Sequence, residues 1–403
     1  MKKLLALFAS LCLILGFAAC GGTPNDNDST PLDSSSPIEN SSSSATEENS
    51  STPEPPILPA SKGLEYELSN DNSYYIVTGI GTCTDTDLVI PDTHENKPVK
   101  EIGATAFYNC NFLQSATLPD CVQTIGLQAF SDCHSLQSVT LPNNLQMIDQ
   151  YAFYSCDSLQ FTIYENAKYL GNETNPYLAL IEATETTYSS YAIHEKNKII
   201  AGCAFYDCDS LQSIIIPDGV QTIGYQAFSS CDSLQSATLG NNVQTIGLGA
   251  FQYCISLQNV TLPDSVQSIG GVAFYNCTSL QIVTIPDSVQ SIEGSTFAYC
   301  TSLQSVTIPD SVQFIEDATF AYCTSLQNVT IPNSVQKIGG VAFLGCDSLQ
   351  SVTFENKEGW YVTQTKNATS GTDISSTDLE DTSTAADYLT DSYVDYYWCK
   401  KTI

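Results

Sequence analysis

Hydrophobic positions recur every 23 residues along most of this chain. The stretch from Thr301 to Cys323 reads TSLQSVTIPDSVQFIEDATFAYC, and the following residues begin the same pattern again. A period between 20 and 30 residues is typical of repeat proteins, in which each unit has an apolar side that only its neighbours can cover. The most regular positions are a phenylalanine and, three places later, a cysteine. These pairs are Phe107 and Cys110, Phe130 and Cys133, Phe153 and Cys156, Phe205 and Cys208, Phe228 and Cys231, Phe251 and Cys254, Phe274 and Cys277, Phe297 and Cys300, Phe320 and Cys323, and Phe343 and Cys346.

One unit, Ser279 to Thr301, shows the elements that the pattern predicts. Leu280, Val283 and Ile285 are separated by outward-facing residues, which predicts a short strand that points its aliphatic side chains inward. Pro286 follows at once and cannot donate a hydrogen bond to a neighbouring strand, so the strand should end there in a turn.

The second half of the same unit predicts two further inward-facing pieces. Val289 and Ile292 form a second short apolar segment, and Gly294 allows the chain to bend. Phe297 and Cys300 are three residues apart, the spacing of a single 3₁₀ or α-helical turn. Each unit should therefore go round once and return beside its own start. Stacked units then place equivalent strands about 4.8 Å apart in a parallel sheet.

The consensus L-x-x-V/A-T-I/L-P-x-x-V-Q-x-I-G-x-x-A-F-x-x-C-x-S resembles the repeat of bacterial BspA-like leucine-rich-repeat surface proteins. It covers about Asp85 to Phe354. The resemblance implies a repeat solenoid: a right-handed leucine-rich-repeat coil stack with a parallel β-sheet face, mostly β with short helical or 3₁₀ turns. It also implies a cell-surface or secreted protein with a binding or adhesion role and no catalysed reaction.

The first 60 residues are of a different kind. Residues 1–20 contain Lys2 and Lys3, an apolar run and small residues around Cys20, the arrangement of a secretory signal. Cys20 lies where a bacterial lipobox cysteine is acylated, so we expect lipidation there, with free secretion as the alternative. Residues 21–60 are rich in Ser, Thr, Pro and acid, which predicts a disordered tether. The expected location is the cell surface, with a lipid anchor as the only membrane contact.

The remaining chain divides at breaks in the repeat. We expect a capping hairpin at 61–84, a first repeat block at 85–160, and a second block of 23-residue units at 201–354. Between the blocks, residues 161–200 lack the Phe and Cys of a unit and predict an enlarged coil with a hairpin, which serves either as a spacer or as a binding element. Residues 355–403 predict a C-terminal cap with a mobile polar segment, although their aromatic residues could also form a binding tail.

Charge narrows the range of partners. The chain has 44 acidic residues against 13 basic ones, a formal net charge of −31, and its basic residues are all lysine. Such a field repels nucleic acid, and the forked guanidinium that suits phosphate is absent from the sequence. Extracellular proteins or glycans remain the expected partners, without nucleic acid.

The reactive residue types are explained by their places in the repeat. A straight column of cysteines about 4.8 Å apart cannot converge on a tetrahedral zinc ion, so these thiols are predicted to be buried, reduced and inert. The turn column Asp120, Asp218, Asp264, Asp287 and Asp310 offers only one or two oxygens per coil, which favours solvated carboxylates over a calcium site. We assign no catalytic residue, no metal site and no cofactor.

Polar columns beside the predicted strands are the best candidates for a binding face. They alternate with the inward aliphatic positions and form an uncharged amide and hydroxyl surface, although side-chain ladders on exposed strands would look the same. The candidate binding residues are Gln137, Gln235, Gln258, Gln281, Gln304, Gln327, Thr261, Thr284, Thr307 and Thr330. The function expected is non-enzymatic binding or adhesion. A structural envelope spacer is the alternative, followed by an enzyme module in the insert or C-terminal segment.

Overall fold

A computed structural model describes residues 59–401. They form a β-solenoid of about twelve turns with parallel sheets and very little helix, which confirms the fold class predicted from the repeat. The signal segment, Cys20 and most of the tether lie outside the described residues. Within the described range, no helix combines the length and the hydropathy needed to cross a membrane.

The L-x-x-V-T-I segment of each unit forms the strand predicted for it. Consecutive side chains of the strand alternate between the outside and the inside, as in Ser305–Thr307, where Val306 is buried between two exposed neighbours. Equivalent strands pair in parallel and in register, and we call this series the first ladder. Its strands are Asp87–Val89, Ser115–Thr117, Ser138–Thr140, Ser213–Ile215, Ser236–Thr238, Asn259–Thr261, Ile282–Thr284, Ser305–Thr307, Asn328–Ile331 and Ser351–Phe354.

The V-Q-x-I segment forms a second parallel series, mostly of two-residue strands, which we call the second ladder. Here the isoleucine is buried in each repeat unit, while the glutamine carries the backbone link between coils; Gln244 N–H, for example, donates to the Gln221 carbonyl at 2.8 Å. Its strands are Tyr75–Gly79, Lys97–Ile102, Thr124–Ile125, Met147–Ile148, Ile199–Ile200, Thr222–Ile223, Thr245–Ile246, Ser268–Ile269, Ser291–Ile292, Phe314–Ile315 and Lys337–Ile338.

The corner around each column phenylalanine differs from the helical turn that the spacing predicts. Turn bonds of the 3₁₀ type are present, as from Cys300 N–H to the Phe297 carbonyl at 3.2 Å, but they alternate with bonds to the next coil. Phe297 N–H, for example, donates to the Thr319 carbonyl at 2.9 Å. This alternation requires a left-handed backbone two residues before and two residues after the phenylalanine, as at Ser295 (φ 56°) and Tyr299 (φ 63°). Consecutive helical bonds cannot form through such residues.

A left-handed backbone destabilises residues that have a β carbon. Replacement of an alanine by glycine should therefore change the free energy of unfolding in opposite directions at two neighbouring positions of this corner. Ala318 (φ 56°) and Ala321 are both buried in the same small cluster, and only Ala318 is left-handed. Ala318→Gly should stabilise the fold by up to about 1 kcal/mol because glycine removes the left-handed penalty. Ala321→Gly should destabilise it by about 0.5–1 kcal/mol. Urea unfolding of both variants measures the difference, and equal effects would contradict the corner geometry.

Phenylalanine rings fill the interior of the stack. Each column ring from Phe107 to Phe343 is at most 5% exposed, and successive rings within a block stack with centroids 5.0–5.7 Å apart. The insert separates two hydrophobic clusters, one that begins at Leu64 and one that extends to Trp398. Burial of one such side chain is worth roughly 1.5–3 kcal/mol, so the stability of a coil depends on its neighbours.

Antiparallel strands occur where the repeat is interrupted. At the amino-terminal side, Glu65–Leu68 pairs with Tyr75–Gly79, and Thr93–His94 pairs with the start of Lys97–Ile102. In the insert, Thr162–Tyr164, Ala167–Leu170 and Ala179–Ala183 pair with one another in antiparallel fashion, in that order. The last of these strands then pairs in parallel with Ile199–Ile200, which joins the insert to the second ladder.

The carboxyl-terminal residues close the last coil. Tyr397–Lys400 pairs antiparallel with both Lys337–Ile338 and Trp360–Thr363, and Thr372–Asp373 lies at the outer edge of this sheet. A 3₁₀ turn (Asp378–Glu380), an α-helix (Thr382–Asp387) and a π-helical turn (Tyr388–Ser392) follow each other. Part of the polar segment that was expected to be mobile thus has secondary structure, while its mobility stays a prediction.

Candidate binding face and a gap in the strand ladders

The predicted binding residues lie on the outer surface of the first ladder. All ten are exposed, while the valine or alanine between each glutamine and threonine is buried. Backbone bonds align the glutamines; Gln304 N–H donates to the Gln281 carbonyl at 2.9 Å. In-register pairing places Thr284 beside Thr307 and Thr238 beside Thr261. The structure therefore brings these side chains into rows.

The cysteine column is placed where it cannot act on a ligand. Each thiol in the interior coils donates to the carbonyl of a phenylalanine 26 residues earlier, as from Cys300 Sγ to Phe274 O at 3.2 Å. Burial raises the pKa of the Cys300 thiol to about 12, against a smaller opposite effect of a backbone hydrogen bond. All cysteines among residues 59–401 are free.

The turn aspartates lie on separate coils and face solvent. Asp120, Asp218, Asp264, Asp287 and Asp310 are all exposed. Asp218 Oδ1 accepts from the Asn241 N–H at 2.7 Å, a contact between consecutive turns. In the described part of the chain, no three His, Cys, Asp or Glu side chains form a group that could hold a metal ion.

Both strand ladders are interrupted between the same two coils. On the first ladder, one sheet ends at Asn259–Thr261 and the next begins at Ile282–Thr284. On the second ladder, one sheet ends at Ser268–Ile269 and the next begins at Ser291–Ile292. Sequence reasoning predicts continuous pairing here, so this gap is a departure from the expected stack.

The glycine of the Q-x-I-G motif explains why coils normally come close. A β carbon on Gly247 would lie 2.6 Å from the Gly224 carbonyl carbon, and one on Gly270 would lie 2.5 Å from the Leu248 nitrogen. Real β carbons do not approach backbone atoms so closely, so only glycine permits the usual coil spacing.

Three coils carry an acidic residue in place of that glycine: Asp149, Glu293 and Glu316. The stacked phenylalanines that flank these three positions are 5.5–5.7 Å apart, against 5.0–5.4 Å where glycine is kept. Asp149 and Glu316 still donate their N–H to the preceding coil, at 2.8 and 2.9 Å. The ladder is lost only at Glu293.

A cavity of about 450 Å³ occupies the second-ladder side of this gap. Its lining consists of amides, hydroxyls, one carboxylate and one aliphatic side chain. The lining residues are Gln267, Ser268, Ile269, Ser288, Gln290, Ser291 and Glu293. None of them belongs to the binding face predicted from sequence. Two features of the sequence could have indicated this cavity. One is the change from glycine to glutamate at position 293, and the other is the second column of glutamines, which includes Gln267 and Gln290 and precedes the short strands.

Threonine accompanies glutamate in the two later coils. Thr296 and Thr319 replace the alanine found before the other repeat phenylalanines, and both are fully buried. Thr296 Oγ1 donates to the Glu293 carbonyl at 2.6 Å, and Thr319 Oγ1 donates to the Glu316 carbonyl at 2.7 Å. The paired change from glycine and alanine to glutamate and threonine therefore marks a distinct coil type.

Comparison with known proteins identifies the repeat. The family model for the BspA type leucine rich repeat region matches residues 86–178, 184–304, 244–359 and 268–385, with six copies in all. No curated protein matches the chain.

Two solved structures illustrate what the chain is similar to. A leucine-rich repeat protein from Bacteroides ovatus is 26% identical, with 72% of this chain and 87% of that chain covered and a TM-score of 0.30. A leucine rich cell surface protein from Faecalibacterium prausnitzii is 25% identical, with 74% and 96% covered and a TM-score of 0.28.

Proposed function

The chain belongs to the family of BspA-type leucine-rich-repeat proteins, and from this premise we propose that it is a non-enzymatic cell-surface protein whose solenoid binds extracellular proteins or glycans. The amino-terminal sequence supports an exported chain with a lipid anchor at Cys20. The acidic tether of residues 21–60 would then hold the repeats away from the membrane.

The observation that carries the proposal is the exposed polar face of the first ladder. Rows of amides and hydroxyls on paired strands present many hydrogen-bonding groups from a backbone that needs no further ordering on binding. The absence of charge on these rows contrasts with the net charge of −31 on the whole chain. Such a surface suits partners that are recognised by hydrogen bonds more than by charge.

Lysines placed on this face should weaken binding if the face carries it. We expect residues 59–401 to bind at least one ligand on protein and glycan arrays. The double variant Thr307→Lys and Thr330→Lys should then weaken that binding about tenfold or more, because two ammonium groups would occupy the rows. The matched control is Asn111→Lys with Asn241→Lys, which adds the same charge at exposed turns.

Three results would count against the proposal. An array without any ligand would favour a structural spacer, for which removal of one 23-residue unit should reduce function only in proportion to length. Equal binding by the face variant and the control would place the contact elsewhere. Turnover of a substrate that is abolished by a change in residues 161–200 would favour an enzyme.

A further inference from the structure

We propose that the gap at Glu293 is a binding subsite for a neutral, hydroxyl-rich saccharide unit. This inference rests on the proposed function, because it names a ligand class and a place for it on the same solenoid. It stands on the missing ladder, the cavity, the chemistry of the lining and an exposed aromatic residue on the paired strand.

The broken ladder leaves backbone groups available to a ligand. In the preceding coil, Gln267 N–H donates to the Gln244 carbonyl at 2.9 Å and Gly270 N–H donates to the Ile246 carbonyl at 2.8 Å. The structure shows no such backbone bonds from Gln290 or Glu293, which are both among the described residues. Backbone donors and acceptors need partners, and those at the gap face an opening instead of a neighbouring strand.

The side chains of the lining complement vicinal hydroxyl groups. The Gln267 and Gln290 amides each offer donors and an acceptor, and the Glu293 carboxylate accepts from two hydroxyls at once. Ser268 and Ser291 add hydroxyls that serve in either role. A cavity of about 450 Å³ is of the size that holds a small ligand.

An aromatic residue lies on the strand that pairs with one wall of the cavity. Phe314 pairs in register with Ser291 on the second ladder and is 39% exposed, whereas other coils have Thr, Ser, Met, Lys, Glu or Ile at this position. Aromatic side chains next to a few polar groups are typical of small-ligand sites. The apolar C–H face of a sugar ring could rest on Phe314 while its hydroxyls reach the gap.

The remaining links between the two coils argue against an inserted peptide strand. Val272 N–H donates to the Gly294 carbonyl at 3.0 Å, and Ser288 Oγ donates to the Asp264 carbonyl at 2.8 Å, so the coils are tied on both sides of the opening. An additional strand would need the two flanking strands to lie roughly 9.5 Å apart. The carboxylate of Glu293 and the negative charge of the chain disfavour anionic ligands.

Closing the gap should remove the subsite. Glu293→Gly restores the residue of the standard coil, so we expect the ladder to re-form and the amide of Gln290 to exchange with solvent more slowly than in the parent protein. The probes are maltotetraose, cellotetraose, mannotetraose and the tetramer of β-1,4-linked N-acetylglucosamine, titrated by calorimetry or ligand-observed NMR. At least one should bind the parent, and Glu293→Gly should weaken it about tenfold or more.

Two further variants separate the contributions of shape and charge. Glu293→Ala does not restore the glycine of the standard coil, so we expect it to leave the exchange of Gln290 unchanged and to weaken the sugar by the loss of the carboxylate alone. Glu316→Gln is the matched control, because Glu316 occupies the equivalent place in the next coil and its ladder is intact. It should bind the probes within about twofold of the parent.

The subsite is refuted if none of the four oligosaccharides binds the parent, or if Glu293→Gly binds as well as Glu316→Gln does. An extended Val-Thr decapeptide that binds in their place would assign the gap to peptides. If the arrays yield a ligand that Glu293→Gly still binds fully, the proposed function stands and only the subsite fails.

Discussion

Replacement of Phe251 by alanine is expected to lower the free energy of unfolding by about 3–5 kcal/mol, because the ring is fully buried and the surrounding backbone cannot collapse onto the space it leaves. Phe251 stacks between Phe228 and Phe274 with centroid distances of 5.1 and 5.4 Å. Loss of the ring therefore weakens the contact with the coil on either side. Urea unfolding followed by circular dichroism measures the effect.

The same substitution on the surface provides the control. Phe314 is 39% exposed, and Phe314→Ala should change the free energy of unfolding by less than about 1 kcal/mol. Hydrogen exchange should show that Phe251→Ala accelerates exchange most in the two flanking coils. If both variants were equally stable, the phenylalanine column would not be the core of the stack.

Alkaline pH is expected to destabilise this protein steeply because of its buried thiols. Burial raises the pKa of Cys133, Cys156, Cys208, Cys300 and Cys346 to about 12 from an ordinary value of 9.0. Above pH 9 the unfolded chain releases these protons while the folded chain keeps them, so stability is fully present below pH 9 and is lost between pH 9 and 12. At pH 10 each such thiol costs about 1.4 kcal/mol relative to neutral pH.

The slope of stability against pH tests this account. The free energy of unfolding, measured by urea titration from pH 8 to pH 11, should fall with pH at a slope that corresponds to the release of several protons. Cys300→Ala should reduce that slope by the equivalent of about one proton. Cys121 is only partly buried and has a smaller rise in pKa, so Cys121→Ala serves as the control and should change the slope less. A flat profile up to pH 11 would mean that the column thiols are solvated.

The sequence predicts the repeat architecture because the residues that recur most regularly are also the ones whose burial stabilises the fold most. The phenylalanine and the aliphatic positions recur at a fixed interval and carry most of the buried apolar surface, so the fold class follows from them. The exposure of the candidate rows also follows, since Gln304 and Thr307 alternate with buried Val306.

The corner and the gap depend on distances between coils, which a single-sequence pattern does not contain. Left-handed positions are occupied by residues as different as Val272, Ser295 and Tyr299, so no residue type reveals them. The gap lies at Glu293, which replaces the usual glycine, yet Asp149 and Glu316 replace the same glycine without losing the ladder. Only the coordinates of both neighbours decide between these outcomes. Whether the face or the gap binds a ligand stays a prediction.

The alternating bonds at the corner have an evolutionary consequence. At the corner, the carbonyls of each interior coil accept N–H groups from the preceding coil, and its own N–H groups donate to carbonyls of the following coil, so any standard coil fits after any other. In-frame duplication or loss of 23 codons would therefore change the number of coils without creating a new kind of junction. The junction at Glu293 keeps these corner bonds, as from Phe274 N–H to the Thr296 carbonyl at 2.9 Å, but lacks the ladder bonds, so its two coils would have to be inherited together.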